Sequence, residues 1–212
     1  EERALACMRA ARDGGVNFFD NAEVYAAGES EAVMGRILRK NEWKRSDLVL
    51  STKIFWGGAG PNDRGLSRKH LIEGTDAALE RLGTRYVDLV FCHRPDPTTP
   101  MEETVRAMSH LVDTGRAFYW GTSEWSAEEI RDAILAASGQ LDPTMYGKSI
   151  DTYYAHDTGK TKGDKPKGPL DGGGRRSVYL EVRRNVTNPL LEVFDVPKPS
   201  TTRGERDVTT VP

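Results

Sequence analysis

YVDLVFCH occupies residues 86–93, an apolar run broken only by Asp88 and closed by a histidine. A run that is apolar on both faces suits a strand in a parallel sheet covered on each side, not one wetted on alternate residues. VNFFD (16–20) and LVLSTKI (48–54) upstream and AFYWGT (117–122) downstream have the same character. Between these runs the spacing turns helical. Leu5, Met8 and Ala11 share one face of an opening helix stopped by Gly14-Gly15. Glu29–Lys40 turns Val33, Ile37 and Leu38 inward. Ser67 caps a helix that buries Leu71, Ile72, Leu79 and Leu82 and ends at Gly83. Thr99, Pro100 and Glu102 read as a cap, a first-turn proline and a capping-box acid for a helix ending at Gly115. Ser126 and Glu129 form a second capping box.

Strand, helix, strand at intervals of roughly 30–38 residues is the rhythm of βα units. A (β/α)₈ barrel and a doubly wound sheet both fit it. No Gly-rich phosphate fingerprint follows any strand, which counts against a dinucleotide-binding doubly wound fold.

Bulk properties bound the rest. The 212 residues suffice for one or two domains, and a net charge of −2 draws the chain toward neither nucleic acid nor an anionic membrane. No apolar run approaches the ~20 residues that span a bilayer. Two cysteines, Cys7 and Cys92, make no disulfide framework and fit a reducing, cytoplasmic setting. Composition changes near residue 127: all four tryptophans lie before it and seven of the eleven prolines after it. Residues 147–176 are polar, rich in Gly, Pro and Lys, and aperiodic, as a linker would be. Expected domains are therefore a partial barrel over 1–140, a linker over 141–176 and a partial domain over 177–212. Within the last, 177–185 alternates apolar and charged residues like a half-exposed strand.

The reactive residues collect at equivalent places. Asp20 ends the first strand, Lys53 lies near the end of the second, His93 follows the third and Ser123 the fourth. In a parallel barrel all strand C-termini share one face, and that face carries the chemistry. Tyr25, five residues past Asp20, can join them. A lone residue of this kind at a strand end is most often structural; convergence of different types is what suggests a site. A phenol is a weak acid at neutral pH, and a nearby ammonium favours its ionised form. Lys53 can supply that charge, Asp20 can hold Lys53, and His93 can donate to a carbonyl oxygen. Hydride then reaches carbon while Tyr25 delivers a proton to oxygen. No metal site is expected; His156 and Asp157 alone make a poor one. The Asn185 sequon and the lysine-rich 160–167 run carry no assigned role.

These residues sit in recognisable phrases. NFFDNAEVYAAGESEAVMG with Asp20 and Tyr25, LSTKIFWGG with Lys53, LVFCHRPDPTTPMEETVRAM with His93 and FYWGTSEWS with Ser123 resemble aldo-keto reductases over residues 1–126. FWGG, GLSRKH, RPDPTTPMEE and YWGTSEWS resemble the potassium-channel β-subunit branch and its bacterial relatives. The resemblance implies a (β/α)₈ barrel using NADPH, with a catalytic tetrad of Asp20, Tyr25, Lys53 and His93. It implies that Ser123, with Asp20 and Lys53, holds the cofactor and that Trp56 lines the substrate pocket. In animal channel subunits the histidine position resembles an asparagine, so His93 favours catalysis over a purely regulatory role. Partners implied are a small carbonyl substrate and, through the branch, a further copy of the chain or a channel.

Only four of the eight barrel strands, the second to fifth, are placed; the first would precede residue 1, and the sixth to eighth would follow residue 140. The expected fold is thus an α/β partial barrel of about four βα units followed by a mostly irregular segment. Residues 127–212 resemble, in RRSVYLEVRRN, LEVFDVPKPS and RDVTTVP, the C-terminal domain of unknown function of large secreted bacterial proteins that carry a cytochrome-c-like domain. Two partial domains joined inside TSEWSAEEIRDAILAASG resemble an assembly chimera, which sequencing one DNA molecule across codons 115–140 would settle. The expected function is NADPH-dependent carbonyl reduction by descent. The alternatives are a cofactor-binding regulatory module and a chain defined by its C-terminal segment.

Overall fold

Four strands, β1 (Phe18–Asp20), β2 (Val49–Ile54), β3 (Val87–Cys92) and β4 (Ala117–Thr122), form one parallel sheet in the order β1-β2-β3-β4. This sequential order decides between the two folds the rhythm allowed. A doubly wound sheet reverses its strand order at a switch point; here each strand is laid beside its predecessor. With right-handed crossovers that order sends every connecting helix to one face, as in a barrel wall. The computed structural model describes residues 1–41, 43–151, 153, 168–182, 187–194 and 196. The chain falls into two compact units, Glu1–Glu124 and Trp125–Pro212.

In the first unit, α1 (Glu2–Asp13), α2 (Glu29–Asn41), α3 (Arg68–Leu82) and α4 (Met101–Asp113) alternate with the strands. Helix α1 buries none of its residues, whereas α3 buries Leu71, Leu79 and Leu82 completely or nearly so. Ile72, Val33 and Leu38 are only half-buried. Ser67 caps α3 by accepting from the His70 N–H, and Gly83 closes it at φ +66°, where a side chain would be strained. Gly35 has a different reason: a Cβ there would come within 2.4 Å of the Arg81 carbonyl oxygen, so α2 crosses the end of α3 backbone against backbone. The inner strands β2 and β3 carry the core residues Leu50, Ile54, Val87 and Val90, all with no exposure. The outer strands differ from the sequence expectation: Phe18 is 47% exposed and Tyr119 68%, so their side chains are not covered on both faces.

The cap expected at Thr99 is not used. Pro100 is the N-cap of α4, with no side-chain bond. Asp96 draws Thr99 away instead, accepting from the Thr98 and Thr99 hydroxyls at 2.6 and 2.7 Å and from the Leu66 N–H at 2.8 Å.

The second unit contains α5 (Ala127–Ala137) and α6 (Pro189–Val193). Ser126 and Glu129 make both arms of the expected capping box. One apolar cluster joins Ala127, Leu180 and Leu191, with Phe194 and Val196 against it, and Trp125, Ala133 and Leu135 are also buried. Beside it lies a polar network. Arg131, with no exposure, donates to the Arg175 carbonyl and the Ser177 hydroxyl at 2.9 Å each, and to the Asp171 carbonyl. Asp132 accepts from the Ser177 N–H at 2.8 Å and its hydroxyl at 2.7 Å. Burial works against both charges, pushing the Asp132 carboxyl up and the Arg131 guanidinium down from their ordinary ranges.

Over the described residues 177–182 this network replaces the strand expected from Ser177 to Asn185. Asp132 takes both donors of Ser177, and Ser177–Tyr179 coils into a 3₁₀ turn; among the described residues 177–182 a single bridge, Ile150 to Leu180, is formed. Residues 183–186, with the Asn185 sequon, and 154–167, with His156, Asp157 and the lysine run, lie outside the described residues. Among the described residues no helix is long and apolar enough to cross a membrane, and no three His, Cys, Asp or Glu side chains gather as a metal site.

Candidate active site

The register of the sheet determines which side chains meet. Asp20 lies opposite Ser51, Lys53 opposite Phe91, and Cys92 opposite Thr122. The ladder continues just past the strands: the His93 N–H donates to the Ile54 carbonyl at 3.1 Å and the Ser123 N–H to the Cys92 carbonyl at 3.0 Å. Asp20, Lys53, His93 and Ser123 are therefore brought to one end of the sheet.

Tyr25 reaches the same place from the turn after β1. Lys53 Nζ donates to the Tyr25 hydroxyl at 3.4 Å, to the Asn21 carbonyl at 2.9 Å, and to the Asp20 carboxylate. Ser51 Oγ also donates to Asp20, fixing the carboxylate from the second strand. The Tyr25 and His93 rings meet edge to face, centroids 5.9 Å apart. The Trp56 ring also meets the imidazole edge to face, at 5.1 Å, so two aromatic rings contact the histidine. Tyr25 is 41% exposed and His93 only 6%, which makes the site open at the phenol and closed at the imidazole.

Burial foremost, then the charges of Arg94 and Lys53, hold the His93 imidazolium form down, so the ring is neutral at neutral pH. Its Nδ1 is buried without a hydrogen-bond partner. The residues after Tyr25 are unusual: Ala26 and Ala27 adopt left-handed backbone at φ +51° and +54°. Left-handed backbone costs a residue with a Cβ about 1–2 kcal/mol, so the turn that presents the phenol is built against local preference.

A profile of the Aldo/keto reductase family matches residues 1–162 of the 212. The chain belongs to the aldo/keto reductase family. The family match passes residue 126, where the motif resemblance ends, and takes in α5. Two relatives are named "Probable voltage-gated potassium channel subunit beta". The Arabidopsis thaliana protein is 62% identical over 136 residues, covering 64% of this chain and 42% of its own length. The Oryza sativa subsp. japonica protein is 63% identical over 137 residues, covering 65% and 42%. The chain thus spans about two-fifths of the length of these curated relatives. A solved structure of a thermostable aldo-keto reductase in complex with the inhibitor epalrestat superposes at a TM-score of 0.58 with 30% identity. It covers 64% of this chain and 46% of that one, as a four-strand part of an aldo/keto reductase barrel does.

Two residues that sequence reasoning passed over support this aldo/keto reductase site from behind. Glu23, 2% exposed, accepts from the Phe55 N–H at 2.5 Å and pairs with His70 Nε2 at 3.4 Å. His70 in turn bonds the Gly65 carbonyl through Nδ1 at 2.8 Å. One buried carboxylate thereby joins the turn that carries Tyr25 to the loop that carries Trp56. Burial alone would lower His70, but the Glu23 carboxylate overrides it and the imidazole is held above its ordinary range. The only sequence signal was an acid, Glu23, inside the mostly small and apolar stretch AEVYAAG. Arg94 and Glu124, next to His93 and Ser123, form the other unforeseen pair at 2.8 Å.

Proposed function

We propose that this chain carries the site of an NADPH-dependent carbonyl reductase. The observation that supports it most is the shared ammonium: Lys53 lies 3.4 Å from the Tyr25 hydroxyl while paired with Asp20. The donor set fits a nicotinamide. Ser123, half-buried at the end of β4, has no side-chain hydrogen bond among the described residues and suits its carboxamide. Asp20 and Lys53 would flank the same ring. When bound, the cofactor supplies hydride to the carbonyl carbon.

The remaining work falls to the side chains. A neutral His93 whose Nδ1 is buried and unpartnered carries its proton on Nε2, where it donates to the carbonyl oxygen and draws negative charge toward itself. Tyr25 gives its proton to that oxygen, completing the alcohol. The ammonium stabilises the phenolate left behind, and Asp20 keeps the ammonium in place. The 41% exposure of Tyr25 lets water restore its proton. Trp56 forms a flat apolar wall beside the imidazole, suited to an aromatic or aliphatic carbonyl compound.

NADPH oxidation with an aromatic aldehyde tests the proposal. Tyr25→Phe should lower the rate by about 10²–10⁴-fold, the range for loss of a general acid, while nicotinamide fluorescence still reports binding. Equal rates in the two proteins would remove Tyr25 from the chemistry. The relatives' printed names favour a second reading, a module that binds cofactor and partners a channel. Saturable NADPH binding with no turnover of any aldehyde would select it.

A further inference from the structure

Two cations stand near enough to His93 to act on its charge, and each is already paired. Lys53 is held by Asp20. Arg94 Nη2 meets Glu124 Oε1 at 2.8 Å, and its Nη1 donates to the His93 carbonyl at 2.5 Å. The Arg94 guanidinium also lies 5.5 Å from the centre of the Trp56 ring, which stands 5.1 Å from the imidazole. Arg94 is thus one aromatic ring away from the group assigned to hold a carbonyl. A guanidinium there, left unpaired, is a ready fork for a carboxylate.

Glu124 prevents that at some local cost. Its side chain is 68% exposed, and exposed ion pairs stabilise a fold little. Its backbone is left-handed at φ +56°, an unfavourable conformation for a residue with a Cβ. An unfavourable backbone supporting a weakly stabilising surface pair, directly after Ser123, is better accounted for by its effect on Arg94. Resting on the carbonyl-reductase reading, we propose that Glu124 sets the charge class of the substrate. By occupying Arg94 and adding its own negative charge at the rim, it admits neutral carbonyl compounds and rejects those that bear a carboxylate.

The test uses the full chain as wild type, Glu124→Gln, and Glu124→Gln with Arg94→Gln. The ligands are 4-carboxybenzaldehyde and its methyl ester. Binding is measured by calorimetry without cofactor, and turnover by NADPH oxidation. Wild type should bind the ester roughly tenfold more tightly than the acid, as expected for one exposed charge-assisted contact. Glu124→Gln should raise affinity for the acid by about tenfold and shift the ester less than twofold, which also verifies an intact pocket. Adding Arg94→Gln should cancel the gain. No discrimination in wild type, no gain in Glu124→Gln, or a gain that survives loss of Arg94 would each overturn the proposal. Reduction of the ester without the binding shift removes this proposal alone. The binding shift without reduction of either aldehyde removes the reductase reading and leaves the charge selection standing.

Discussion

Both units bury polar groups, but they place them differently. In Glu1–Glu124 the interior is built from apolar residues of repeated βα units, with Leu50, Ile54, Leu71 and Val90 fully enclosed. Its buried acids stand near the strand ends or between helices, each with a partner: Glu23 with His70, and Glu31 with Thr52 and Arg81. In Trp125–Pro212 the described buried apolar residues are Trp125, Ala127, Ala133, Leu135, Leu180 and Leu191, and the largest side chain with no exposure is Arg131. The first unit can lose a polar pair and keep its core. The second uses a charge as its central piece, and a charge out of water depends on every partner it has.

The largest expected effect follows from that dependence. Arg131→Ala should remove about 3–5 kcal/mol from the second unit, the loss when a buried charge network loses one member. Amide hydrogen exchange should show protection lost from α5 and the Ser177 turn and retained in β2 and β3. Loss of protection in both units alike would erase the distinction drawn above. Leu50→Ala should do the converse, costing the first unit about 2–5 kcal/mol by opening a cavity in a fully buried position. Gly35→Ala comes next, about 1–3 kcal/mol for forcing α2 off the Arg81 carbonyl; chemical denaturation followed by circular dichroism would read both.

The smallest effect is the histidine-linked part of the pH dependence, which falls in the first unit, since among the described residues the second holds no histidine. His70 is raised on folding by Glu23, against burial, which lowers it. Its contribution is full below the unfolded value near 6.5 and fades as pH climbs through the folded one. His93, lowered by burial and by Arg94 and Lys53, acts oppositely: its share is lost as pH falls through its folded value. A His70→Gln variant should flatten the alkaline side of the stability profile and leave the acid side. A profile unchanged on both sides would mean that Glu23 does not hold the imidazolium.

Legibility in the sequence follows the same division. Apolar periodicity located all four strands to within a few residues, because βα repetition writes itself into spacing. The strand ends then delivered Asp20, Lys53, His93 and Ser123 to one place without reference to any family. Arg131 and Asp132 were invisible, since AEEIRDAILAA reads as a helix with its charges in water. Nothing in a period distinguishes an arginine that reaches carbonyls from one that reaches solvent. Glu23 and His70 were missed for a related reason: a partner 47 residues away leaves no local mark. Where a strand was expected to start, Ser177–Tyr179 is a 3₁₀ turn, because alternation in the sequence cannot show that Asp132 claims both donors of that serine.

The consecutive alanines after Tyr25 have a consequence of their own. With Ala26 and Ala27 both wound in the mirror-image sense, the segment behaves like a sprung hinge held shut by its surroundings. Glycine at either position, equally content in both senses, would relax the spring and let the aromatic arm swing. Thermal endurance and chemical aim would then part company: a tougher molecule with a less steady acid.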